Sequence, residues 1–135
     1  MDHYSKHKLI QLTEKQQAIV EEVSKNIFRP CCGNSTRFPD CNHGMAMLGL
    51  LELMASQNIS EQDMYKYALA VNSFWFPDTY LTIATYFKEI EKIEWNKVSP
   101  KLALSYEFSS NQGFKQISNK VTPQQFQKSG GGCSV

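Results

Sequence analysis

The sequence predicts an all-α fold, a bundle of four to five helices. Three observations carry this. Apolar residues recur at helical spacing in several segments. Helix-start signals precede those segments. No segment shows the strict alternation expected of a half-buried strand.

The first helix is expected over roughly 14–28. Thr13-Glu14-Lys15-Gln16 reads as a capping box, in which hydroxyl and amide satisfy backbone donors reciprocally. Ile19, Val20, Val23 and Ile27 then form one face, and Pro30 ends the segment. Breakers fill the next stretch: Pro30, Gly33, Asn34, Ser35, Pro39 and Asp40. A second helix follows over about 42–57. Met45, Met47, Leu48, Leu50, Leu51, Leu53 and Met54 surround most of its circumference, which predicts a central position, with Leu48, Leu51 and Met54 buried.

Ser60 caps a third helix carrying Met64, Tyr67, Ala68 and Val71. Phe74-Trp75-Phe76-Pro77 ends it. Asp78 opens a fourth, with Leu81, Ile83, Ala84, Phe87 and Ile90 as its expected buried stripe. The aromatics Phe74, Trp75, Phe76, Tyr80, Tyr86 and Phe87 are assigned to the core, with a cofactor wall as their alternative use. Ser99-Pro100 starts a short fifth helix reaching about Tyr106, and a weaker helical stretch spans Gly113 to Val121. Residues 1–121 therefore read as one domain, and 122–135 as a flexible glycine-rich tail.

Composition narrows function. The chain has 135 residues, long enough to bury a core without staples. Fourteen basic residues are scattered among thirteen acidic ones, for a net charge of +1, so no basic stripe offers itself to nucleic acid. Glu52 breaks the longest apolar stretch, which is far short of a membrane span. The first eight residues lack the apolar middle of a secretory signal. Two expectations follow: a cytoplasmic protein if Met1 is the native start, or an exported mature chain, toward which the Ser, Asn and Gln content leans. Asn34-Ser35-Thr36 and Asn58-Ile59-Ser60 fit the glycosylation pattern by spacing alone.

Chemistry concentrates in Cys31-Cys32-x8-Cys41-x-His43. Thiolate and imidazole are good donors to soft and borderline cations, so these four residues form a candidate metal site. Cys41 and His43 fall at a helix N-terminus, where N–H groups and the helix dipole favour thiolate. Gly33 and Gly44 allow close backbone approach. The candidate cofactor is zinc or an iron–sulfur cluster. Copper is a weaker alternative that would recruit Met45 and Met47, whose spacing also suits core packing. The matching function is electron transfer, metal handling or redox sensing alongside a redox or metal-transfer protein partner.

Disulfides are the competing use of the cysteines. Cys32–Cys41 with Cys31–Cys133, or a vicinal Cys31–Cys32 bridge, are the pairings weighed. Cys133, behind three glycines, is a candidate swinging thiol, which would make the protein a thiol–disulfide or sulfur-carrier protein working with Cys31 and Cys32. A purely structural, disulfide-stapled exported protein is the third reading. No nucleophile elbow, phosphate loop or His-Glu-x-x-His motif appears, so enzymatic turnover is not expected.

From Cys32 to Cys41 the segment resembles the core of the CDGSH iron–sulfur motif. Cys32, Ser35, Pro39 and Cys41 fall in its register, with Cys31 adjacent to Cys32 and His43 two residues beyond Cys41. The resemblance implies a [2Fe–2S] cluster held by Cys31, Cys32, Cys41 and His43. The tail resembles the C-terminal cysteine arm of DsrC-type sulfur-relay proteins, which implies a relay role for Cys133.

Overall fold

A computed structural model describes residues 11–31, 33–39 and 41–121. Among these the fold is all-α. Seven α-helices are joined by short turns and by two longer connections, 25–41 and 87–99. The latter carries a π turn (Phe87–Glu91) and a 3-10 turn (Trp95–Lys97). The only β-type pairing among the described residues is an isolated bridge between Phe28 and Ser35. We number the helices α1 (Glu14–Ser24), α2 (Asn42–Ser56), α3 (Glu61–Trp75), α4 (Pro77–Tyr86), α5 (Pro100–Ala103), α6 (Tyr106–Ser109) and α7 (Asn111–Ser118). The expected tail, with Cys133, lies outside the described residues, as does Cys32.

The ends of the helices follow from side-chain chemistry. Thr13 and Gln16 form both bonds of the capping box. Ser60 caps α3 through the Asp63 amide, and Ser99 caps α5 through the Leu102 amide. At the end of α2, Asn58 adopts a left-handed conformation, φ 59°. The Ile59 amide then reaches back to the Met54 carbonyl and the Asn58 amide to Ala55, which satisfies two carbonyls left over by the helix. Gln16 Nε2 also donates to Asn58 Oδ1, tying the start of α1 to the end of α2.

The core lies between the two halves of the chain. α1 packs on α2, while α3 packs against α1, α2, α4 and α5. α7 closes over α4, and α6 sits beside α5 and α7. Leu48, Leu51 and Met54 are buried as expected. The apolar band of α2 is wider than the face it buries, however, because Leu53 remains 48% exposed.

Three other expectations need correction. α1 ends at Ser24, so Ile27 enters the core from the turn that follows. The stretch after Ser99 breaks at Leu104 into two short helices, because Ser105 starts a new turn. The buried faces of α3 and α4 keep Met64, Ala68, Tyr80 and Ile83 as expected, but differ at several other positions. Tyr67, Phe74 and Leu81 face solvent, Phe74 being 82% exposed, as does Ile90 in the π turn Phe87–Glu91, while Tyr65, Asn72, Thr79 and Thr82 turn inward.

A buried polar chain accounts for the inward place of Asn72. The Asn72 amide donates to the Phe28 carbonyl and to the Tyr80 hydroxyl, each at 3.0 Å. Ser109 Oγ spends its proton on the Ala103 carbonyl at 2.6 Å, so Tyr80 is the donor in its 2.6 Å bond to Ser109. Each step is a satisfied buried bond, and breaking any one would leave a dry polar group costing roughly 1–3 kcal/mol. These bonds tie α3 to α4 and to the end of α6.

Candidate metal centre

The loop from Phe28 to Pro39 is tied down at both ends. The Phe28 amide donates to the Leu104 carbonyl at 2.9 Å, and the Phe28 carbonyl accepts from Asn72. On the return strand, Thr36 N and Thr36 Oγ1 both donate to the Ile27 carbonyl, at 2.8 and 3.0 Å. Arg37 N donates to the Ser24 carbonyl. With its stem anchored this way, the loop holds Cys31 against the start of α2.

Cys41 is the N-cap of α2. Its backbone is extended and its sulfur accepts from the Gly44 amide at 3.4 Å, the role a Ser or Asp oxygen plays elsewhere. His43 lies in the first turn. The ligand atoms of Cys31, Cys41 and His43 all lie within 4.8 Å of one another, and the two sulfurs are 3.9 Å apart. Two thiolates on one tetrahedral zinc, each at about 2.3 Å, sit roughly 3.8 Å from each other. The spacing fits a shared ion.

Around the cluster the setting is largely apolar and carries one cation. The His43 ring packs at 4.8 Å from Trp75 and 5.0 Å from Phe76, centroid to centroid. Its Nδ1 is buried with no hydrogen-bond partner among the described residues. Burial, reinforced by the charge of Arg29, holds the His43 pKa below the usual 6.5. The imidazole is therefore neutral at neutral pH, with a lone pair to offer. Arg29 is itself wholly buried, and its Nη1 reaches Thr36 Oγ1 at 3.5 Å.

Gly44 makes room for all of this. A Cβ there would lie 2.9 Å from Pro39 Cα and 3.0 Å from Arg29 Cζ. Gly33 has no such constraint, since a Cβ would meet only Asn111 Oδ1, at 3.8 Å.

Redox state separates the cysteines. Cys31 is disulfide-bonded, and its partner lies outside the described residues, whereas Cys41 is a thiol. The expected bridges, Cys32–Cys41 with Cys31–Cys133 or Cys31–Cys32, each involve cysteines outside the described residues, and the 3.9 Å between Cys31 and Cys41 is a non-bonded contact. A disulfide sulfur is a poor metal ligand, because the thiolate is the binding species. Ligation by Cys31 belongs to the reduced protein.

Of the four expected ligands, the structure brings Cys31, Cys41 and His43 together. The copper option gains nothing from Met47, which is fully buried in the core. Arg29 was missed in the sequence: a single Arg before Pro30 has no spacing signal, and only the fold buries it beside His43. Trp75 and Phe76 were legible as a possible cofactor wall, and both do border the cluster. No protein-family model, characterised protein or solved structure matches the chain, so its functional reading rests on this cluster.

Proposed function

We propose that the reduced protein binds one soft or borderline metal ion through Cys31, Cys41 and His43, and serves metal handling or redox sensing. The observation carrying this is the 3.9 Å separation of the two sulfurs with a histidine nitrogen within 4.8 Å of both. In this reading Cys32, the neighbour of Cys31, completes a four-ligand shell. Zinc is the first candidate, because a small tetrahedral Cys/His set suits it. The CDGSH resemblance supports a [2Fe–2S] cluster as the alternative occupant. A Cys31 disulfide removes one ligand, so occupancy reports the thiol redox state of the surroundings. A redox or metal-transfer protein is the partner this reading calls for.

The test is metal analysis and ultraviolet–visible spectroscopy of protein reduced and purified without oxygen. About one metal per chain is expected, colourless for zinc and brown for a cluster. His43→Ala and Cys41→Ser should each weaken binding at least tenfold, as loss of one ligand in four does to a chelate. Reduced protein that takes up neither zinc nor iron, or variants that bind as tightly as the parent, would refute the reading.

A further inference from the structure

We infer that the cleft between α1 and α2 binds a small aliphatic amino acid carrying two ammonium groups, with lysine as its charge match. The site shares no residue with the metal centre and does not depend on it.

The cleft has a volume of about 150 Å³. Val20, Glu21 and Ser24 border it from one face of α1, Leu48 and Glu52 from one face of α2, and Arg37 from the loop. Two hydrogen bonds give it a direction. The Arg37 amide donates to the Ser24 carbonyl at 3.2 Å, so Arg37 stands at the end of α1. Gln16 at the start of α1 bonds to Asn58 just past α2, so the two helices run antiparallel. Glu52, one turn beyond Leu48, therefore lies toward the other end of the cleft, and Glu21 lies one turn back from Ser24.

The floor is apolar and the rim is charged. Val20, Ser24 and Leu48 are buried. Glu52 is the one acidic residue of α2, set within the apolar run from Met45 to Met54. Glu21, Glu52 and Arg37 form no ion pair with one another. Burial pushes the Glu52 carboxyl above its ordinary range, so a cation laid against it restores stabilisation that the apolar surroundings withhold.

Two carboxylates and one guanidinium are the complement of two ammonium groups and one carboxylate. The ligand carboxylate pairs with Arg37, whose planar fork suits it. The α-ammonium then meets Glu21, and the aliphatic stem crosses Val20 and Leu48 to bring the second ammonium to Glu52. A closed cavity of this volume holds a ligand of about six carbons. An open cleft takes a stem of that size and leaves both charged ends in the rim.

Titration of the isotope-labelled full chain with L-lysine, followed by amide NMR shifts, tests this. Saturable shifts centred on residues 20–24, 37 and 48–52 are expected. Norleucine lacks the second ammonium and cadaverine lacks the carboxylate, so each should bind about tenfold more weakly, the loss of one hydrogen bond to a charged group. Glu52→Gln should weaken lysine about tenfold and leave norleucine unchanged, whereas Arg37→Gln should weaken lysine and leave cadaverine unchanged. Both variants keep the fold's contacts, because Arg37 is exposed and anchors the loop through its backbone amide, and Glu52 is only half-buried. No saturable shift up to tens of millimolar lysine overturns the proposal. So does equal binding of all three ligands by the parent, or a variant that weakens all three alike.

Discussion

At the scale of the residue, the best-defined polar group is Tyr80. It is fully buried, and burial pushes its pKa up to about 12, against bonds to Ser109 and Asn72 that pull it down. The unfolded chain loses this proton near 10, while the folded one retains it. The folded state therefore holds more protons between these values, and stability must fall as pH rises from about 10 toward 12. Two pKa units correspond to about 3 kcal/mol. Denaturant midpoints measured across this range should show the parent losing stability more steeply than Tyr80→Phe. Equal slopes would mean that Tyr80 ionises without disturbing the fold. At neutral pH the Phe variant should still be weaker than the parent, because Ser109 loses its donor and the Asn72 amide loses its acceptor.

At the scale of the element, α2 decides whether the site exists. Its two interior glycines make a controlled comparison. Gly44→Ala drives a Cβ to 2.9 Å from Pro39 and 3.0 Å from Arg29, so overpacking should cost about 1–3 kcal/mol and weaken metal uptake. Gly49→Ala meets nothing within 4 Å and should instead gain about 0.5–1 kcal/mol, from a better helix residue. Urea titration of both variants reads the opposite signs. Leu51→Ala, at a fully buried position, should cost about 2–5 kcal/mol by chemical denaturation. A loss below about 1 kcal/mol would place α2 outside the cooperative core.

At the scale of the whole molecule, Asn72 links the parts. One amide joins the loop carrying Cys31, through the Phe28 carbonyl, to α4, through Tyr80. Tyr80 carries the link on to Ser109 at the end of α6. Asn72→Ala should strand these buried groups at about 1–3 kcal/mol each. Beyond that loss of stability, amide exchange in the segment 28–36 should quicken while α2 and the first turns of α3 stay protected. Uniform quickening across the chain would mean that Asn72 only adds global stability and does not position the loop.

By itself, the sequence determined the helices and their starts. Thr13 with Gln16, Ser60, and Ser99 before Pro100 announce themselves because a cap is a local bargain between a side chain and amides two or three residues away. It also determined that Cys41 and His43 would share a helix N-terminus, since two residues in one turn cannot be far apart. Cys31 joined them only through the loop, and Arg29 only through burial, because both depend on partners distant in the chain, Leu104 and Asn72 among them. The faces of α3 and α4 were read correctly at Met64, Ala68, Tyr80 and Ile83 and misread at Tyr67 and Leu81. Periodicity ranks Leu81 and Tyr67 by hydrophobicity, but the fold turns both outward and takes Asn72 in. A buried polar group must find its partner, whereas an apolar side chain left at the surface costs comparatively little.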